Sequence, residues 1–173
     1  MLIGKTGLQL TFAGPRSPVI ALAVGLAFGV YMALADATVF AAVVPASQHA
    51  AVAGTPALDR LVAFVWGAVV AEVVLRLVCM TAIVALLRAA GKTGDWCYWL
   101  AIALVTLVAY PLYGSGYFAA LTWTPLGAAR EIALHLAATS LWGWLYWRHG
   151  FLAAVTGHCG AHLALQPLLG LLA

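Results

Sequence analysis

The sequence predicts an all-α protein, a polytopic transmembrane helical bundle of about five spans with its N-terminus in the cytoplasm. The first reason is composition. Of 173 residues, 65% are apolar and only 8% are charged, and the mean hydropathy is +1.05, whereas soluble domains carry about 25% charged residues. The second is the recurrence of apolar runs near the roughly 20 residues that cross a bilayer core as a helix. The third is the distribution of basic residues between those runs. The net charge of +3 is small, and no basic cluster is dense enough to serve a nucleic-acid partner. The length suits one domain. Residues 18–173 read as the transmembrane domain and residues 1–17 as a cytoplasmic segment before it.

That first segment carries Lys5 and Arg16 but lacks the apolar centre of a signal peptide. The first span runs from Pro18 to Val44 and holds one acid, Asp36; a polar, Pro-containing loop follows from Pro45 to Arg60. The second span, Leu61 to Leu87, holds Glu72 and Arg76. Arg88, Lys92 and Asp95 mark the next loop, and the third span runs from Trp96 to Tyr113 with Pro111 near its end. The stretch YGSGYFAALTWTPLG then either lengthens that span, turns back as a re-entrant segment, or lies in the interface. The fourth span is Ile132 to Trp147, and the fifth is Phe151 to Leu172 after a tight RHG turn. This arrangement puts Lys5, Arg16, Arg88, Lys92 and Arg148 on one side. Arg60 and Arg130 fall on the other, each beside an acid, Asp59 and Glu131. The excess follows the positive-inside rule with a cytoplasmic N-terminus. Trp96, Trp99, Trp142, Trp144, Tyr146 and Trp147 gather at the cytoplasmic boundary, as an aromatic belt does.

A charged side chain at membrane depth costs about 2.5–3.5 kcal/mol on insertion scales, so each one needs a reason. Glu72 and Arg76 are spaced i,i+4 with the acid first, the favourable order on a helix. They read either as a salt bridge that lets the helix pass through lipid or as part of a site. His158 and His162 share one face of the fifth span. Their spacing is that of paired metal or haem-type ligands, with Glu72 as a third ligand from another helix. Without an HExxH core the pair does not specify a metal, and no metal or cofactor is expected. Gly157 and Gly160 beside these histidines permit close helix approach. Asp36 reads as the cap of a bend or the partner of an outer arginine, and His135 as a hydrogen-bonded packing residue. The three cysteines, Cys79, Cys97 and Cys159, form no CxxC and suit neither a disulfide framework nor a thiolate zinc site. Ser115, in GSG, has no Ser–Lys or Ser–His arrangement around it, and a paired-aspartate protease would need a second acid like Asp36.

In order, spacing and flanking text these positions resemble the CPBP or Abi family. Its members are glutamate-dependent intramembrane proteases and their relatives, including CAAX prenyl proteases and bacteriocin-processing or immunity proteins. AEVVLR, Ala71 to Arg76, aligns with the family's EExxxR motif. HCGAH, His158 to His162, aligns with HxxxN or HxxxD, and the preceding GWLYWRHGFLAAVTGH is similar to the family's approach to that motif. YGSGY, Tyr113 to Tyr117, occupies the place expected for FxxxH. The resemblance extends from about Asp36 to the C-terminus. Glu72, Arg76 and His158 match motif positions. Ala71 stands in place of the first glutamate, Tyr117 in place of the middle histidine, and His162 in place of the final Asn or Asp. In the family the tandem glutamates supply the residue that activates water.

The departures shape the functional expectation. Glu72 lies about 100° around the helix from Ala71, so it does not point where the missing carboxylate would. Arg76 favours its ionisation but holds it in a pair. Tyr117 can donate to an oxyanion but is a poor base near neutral pH, and His162 can replace an amide as donor. Losing one positioned catalytic group costs a factor of about 10² or more. The resemblance with these gaps implies a catalytically inactive relative, multi-pass in a bacterial cytoplasmic (inner) membrane. It would act as a structural, scaffold or regulatory subunit that binds other integral membrane proteins within the lipid bilayer. The alternative is an active CAAX-type intramembrane endopeptidase with a shifted site. Glu72, His158 and His162 would be its catalytic groups and Arg76, Tyr113 and Tyr117 its binding groups, all converging on one water-accessible cavity. A second alternative is a cofactor or pigment binder using His158, His162 or His135.

Overall fold

The computed structural model describes residues 3–172; Met1, Leu2 and Ala173, the outer ends of the two expected segments, lie outside the described residues. The chain is 82% helical, with no strand among the described residues. Helix α1 is Ser17–Ala37, α2 Ala46–Gly54, α3 Ala57–Ala89 and α4 Trp96–Tyr113. Helix α5 is Ser115–Ala119, α6 spans residues 125–149, and α7 is Phe151–Leu172. By length and composition, α1, α3 and α4 are long and apolar enough to cross a membrane. Helices α6 and α7 carry most of the polar residues described below, which dilutes their hydropathy.

Local chemistry sets the helix ends. Pro18 opens α1 in its first turn, where a missing N–H costs nothing. Thr124 caps α6, its hydroxyl accepting from Gly127 N at 3.0 Å. Gly150, at φ 93°, lies in the left-handed region that favours glycine and breaks α6 from α7. The segment before α1 docks against this break. Gln9 O accepts from Phe151 N at 2.9 Å, and His149 O from Ala13 N at 2.9 Å. Tyr98 OH donates to Thr6 O at 2.7 Å, and Leu8 is buried.

Helices α1 and α7 make the closest pair. Ala21, Gly25, Gly29 and Ala33 recur every four residues along α1 and are all buried. A Cβ on Gly25 would collide with the Gly157 carbonyl, and one on Gly29 with the Ala161 carbonyl. Small residues of this kind let backbones approach where lipid supplies no hydrophobic drive. The main apolar cluster continues from this contact through Ala21 and Ala161 into α3, α4 and α6, with Leu75, Met80, Val84, Ala101, Ile102, Val105, Leu145 and Tyr146 among its members.

Three helices widen into π-helical turns, at Val73–Met80 in α3, Val105–Ala109 in α4 and Glu131–Leu136 in α6. Such turns leave backbone groups to be satisfied elsewhere. Thr81 Oγ1 donates to the Arg76 carbonyl at 3.2 Å, beside the Thr81 N–H that bonds the same oxygen.

The structure corrects several sequence expectations. The first span ends at Ala37 rather than Val44, where the Thr38 hydroxyl turns back onto Leu34 O at 2.6 Å. The expected loop from 45 to 60 contains α2. The fourth helix begins at Pro125, so Arg130 and Glu131 are buried helical residues rather than loop charges. Residues 113–124 contribute only α5 before the α6 cap. Trp142 and Tyr146 are core residues, 2% and 0% exposed, because they lie on the inward face of α6. Trp96 and Trp99 are exposed, as belt residues are.

Gly25→Ala should destabilise the protein by roughly 1–3 kcal/mol through overpacking, measured as thermal unfolding in detergent. Gly67→Ala, where an added Cβ meets nothing within 4 Å, should leave it unchanged.

Candidate functional site

Helices α1, α2, α3, α4, α6 and α7 enclose a cavity of about 470 Å³, within the range of small-molecule sites. Its walls carry two polar networks and a row of stacked rings.

The first network is built on α3. Glu72 and Arg76 are each 1% exposed and sit one turn apart. Arg76 Nε lies 3.5 Å from Glu72 Oε2. Arg76 Nη2 donates to the Thr139 carbonyl of α6 at 2.6 Å. The other carboxylate oxygen, Glu72 Oε1, meets His158 Nδ1 of α7 at 2.9 Å. Each helix therefore supplies what the next one's charge needs, as burial of charge demands. The His158 ring lies between two others. It stacks on Trp142 at 5.4 Å and on His162 at 5.2 Å, and His162 stacks on Phe64 at 5.2 Å. Four rings from α6, α7 and α3 thus run in a row along the cavity wall.

The second network joins α1, α2, α5 and α6. Arg130 forks onto Asp36, with Nε to Oδ1 at 2.7 Å and Nη2 to Oδ2 at 2.8 Å, the bidentate geometry guanidinium favours. Its Nη1 lies 2.7 Å from Glu131 Oε1 and donates to Tyr117 OH at 3.3 Å. Tyr117 OH donates in turn to Glu131 Oε1 at 2.9 Å. Gln48 of α2 bridges the fork, donating to Asp36 Oδ2 and accepting from Arg130 Nη2, both at 2.9 Å. Glu131 Oε2 lies 2.8 Å from His135 Nδ1. A third cation, Arg60, is 5% exposed. It donates to Val52 O, Thr55 O and Gln166 O at 3.0, 2.6 and 3.0 Å, fastening α2 and α3 to α7.

Not every buried donor finds a partner. Arg76 Nη1 and His162 Nδ1 are buried beside the cavity with no hydrogen bond. A buried donor left unsatisfied costs about 1–3 kcal/mol, so these two atoms stand where an acceptor on a bound group, or water, would complete them. His158 is bonded through Nδ1 and lines the cavity. The arrangement can take a proton at His158 and hold developing negative charge at Arg76 and His162.

Every residue expected in the catalytic or binding site, and Ala71 beside them, lines this cavity: Glu72, Arg76, Ala71, Tyr113, Tyr117, His158 and His162. Ala71 presents only its methyl group. Tyr113 is 46% exposed and stands at the rim. Asp36 pairs with an arginine, Arg130. His135, expected as a hydrogen-bonded packing residue or a cofactor ligand, is paired with Glu131 and lines the cavity; Arg60 and Tyr110 line it too and were not foreseen. The signal for His135 was its i,i+4 spacing from Glu131. Nothing local marked Tyr110. Among the described residues no group of three or more His, Cys, Asp or Glu side chains is arranged to hold a metal ion.

Fold and site together define a helical membrane protein whose helices surround a mainly apolar cavity set with charged and polar side chains. No protein family, curated protein or solved structure matches the chain.

Removing one member of the buried pair strands the other. Arg76→Met should cost about 3–5 kcal/mol in detergent unfolding, while Lys92→Met, in an exposed loop, should cost nothing measurable.

Proposed function

We propose that the protein is a membrane-embedded hydrolase of the CPBP type with a re-sited catalytic pair, Glu72 and His158, acting on peptide bonds of membrane substrates. One observation carries this reading: around a hydrogen-bonded carboxylate–imidazole pair, Arg76 Nη1 and His162 Nδ1 remain buried and unpartnered at the same cavity. A cluster kept only to hold helices together would gain by satisfying those donors internally. In the proposed mechanism His158 takes a proton from water, with Glu72 fixing the ring and stabilising its charged form, as the acid member of a hydrolytic triad does. Arg76 and His162 receive the oxyanion. Tyr113 and Tyr117 flank the substrate. In this reading α1, α3, α4, α6 and α7 each cross a bacterial cytoplasmic membrane, with the N-terminus inside, as the loop charges favour.

A second reading is favoured by Ala71, whose methyl group faces the cavity where the family resemblance places a carboxylate. In that reading the cavity binds a segment of another integral membrane protein without cleaving it, and the chain serves as a scaffold or regulatory subunit.

One experiment separates the two. Purified protein in liposomes is incubated with prenylated and unmodified membrane peptides, and products are read by mass spectrometry. The hydrolase reading predicts cleavage by the wild type that falls about 10²-fold or more in Glu72→Gln and in His158→Gln. If the wild type is inert and only Ala71→Glu cleaves, the binding reading replaces it.

A further inference from the structure

Helix α2 covers one end of the cavity and has no part in the chemistry so far. We propose that α2 is a lid latched by Gln48, whose carboxamide occupies a seat on the Asp36–Arg130 fork that one residue of a bound peptide takes over when the lid lifts. The seat rests on the peptide ligand that both readings above invoke; the lid does not.

The partners of α2 place it. Asp36 lies at the end of α1, Arg60 at the start of α3, Arg130 in the first turns of α6 and Gln166 late in α7. Ser47, Gln48, Ala51 and Val52 line the cavity from above these ends. No side chain of α2 is buried. Between Phe40, 7% exposed, and Arg60, 5% exposed, the chain buries no residue at all. A segment with so few buried apolar contacts opens at low cost.

Among the described residues, two polar fastenings hold α2. At its C-terminal end Arg60 Nη1 donates to Val52 O and Thr55 O, and Arg60 Nη2 is anchored on Gln166 O at 3.0 Å. These bonds go to main-chain carbonyls next to the entry of α3, and they serve as the pivot. Near the other end the fastening is one side chain. Gln48 Nε2 donates to Asp36 Oδ2 and Gln48 Oε1 accepts from Arg130 Nη2, both at 2.9 Å. Residues 41–45, none of them buried, link this latch to α1 and supply the slack for it to swing.

The seat left behind is a matched donor and acceptor. Arg130 Nη2 and Asp36 Oδ2 lie 2.8 Å apart, on side chains that are 1% and 5% exposed. The fork keeps both of its own bonds when Gln48 leaves, so the seat stays formed, with one N–H and one lone pair unused. A ligand that fills it must accept and donate along one edge. A carboxylate lacks the donor, and an ammonium lacks the acceptor. One residue of an extended peptide has both, since its N–H and C=O point to the same side, as in a hydrogen-bonded pair of antiparallel strands. The ligand class is therefore an extended peptide held by its main chain. Asp36 and Arg130 line the same cavity as Glu72 and His158, so a segment seated on the fork continues toward that pair.

The test uses the full chain in lipid nanodiscs. Hydrogen–deuterium exchange read by mass spectrometry should show residues 46–54 exchanging at least about 10-fold faster than the middles of α1 and α7, and about 10-fold faster again in Gln48→Ala with α1 and α7 unchanged. Protection of 46–54 equal to that of α1, or no response to Gln48→Ala, overturns the lid. A binding arm follows the anisotropy of a labelled, unmodified membrane peptide. Loss of a competing Gln48 raises the fraction of protein ready to bind, so Gln48→Ala should bind at least about 3-fold tighter than the wild type. Binding that is unchanged or weaker in Gln48→Ala overturns the seat and leaves the peptide readings intact. If neither form binds or cleaves a peptide, the peptide readings fail and the seat with them, and the exchange rates alone decide the lid.

Discussion

The structure depends on keeping Glu72 and Arg76 satisfied far from water. Both are 1% exposed, and within one helix they can offset charge but cannot fill their hydrogen-bonding capacity. The remaining partners come from outside α3: a carbonyl of α6 for Arg76 and an imidazole of α7 for Glu72. That requirement fixes the heights and faces of three helices relative to one another. The wide turn after Glu72 and the ring stack from Trp142 to Phe64 are consistent with it. The small-residue contact of α1 with α7 meets the same need from the other side, since it seats α7 close enough for His158 to reach α3.

The second network solves a related problem with a different result. Arg130 draws Asp36, Glu131, Tyr117 and Gln48 together from four segments and closes that end of the cavity. Two carboxylates, Asp36 and Glu131, share the one guanidinium of Arg130, whereas Glu72 and Arg76 pair one to one. A cavity lined by two buried ion-pair networks, with unfilled donors beside it, is better suited to polarising a bound group than to passive packing.

Part of this was legible in the sequence. Glu72 and Arg76 stood out because nothing else ionisable shares their apolar run, and the i,i+4 spacing of His158 and His162 put both on one face. The resemblance to the CPBP family led to the same residues. The fork between Asp36 and Arg130 was out of reach in detail because its partners lie 94 positions apart, and local periodicity says nothing about pairing over that distance. Trp142 and Tyr146 were assigned to a belt because aromatic residues serve belts and cores alike, and only their place on the inner face of α6 distinguishes them. His135 reads mainly as a packing residue because its i,i+4 partner, Glu131, looks like a loop charge in the sequence. Arg130 and Glu131 looked like loop charges because the Gly- and Pro-containing text before them hid the start of α6 at Pro125.

The measurement closest to the central claim is a double-mutant cycle on unfolding with Glu72→Gln and His158→Gln. If the two side chains form the contact that joins α3 to α7, the single-variant losses should fail to add, with a coupling of about 1–3 kcal/mol. Losses that add to within about 0.5 kcal/mol, the behaviour of independent sites, would contradict the account.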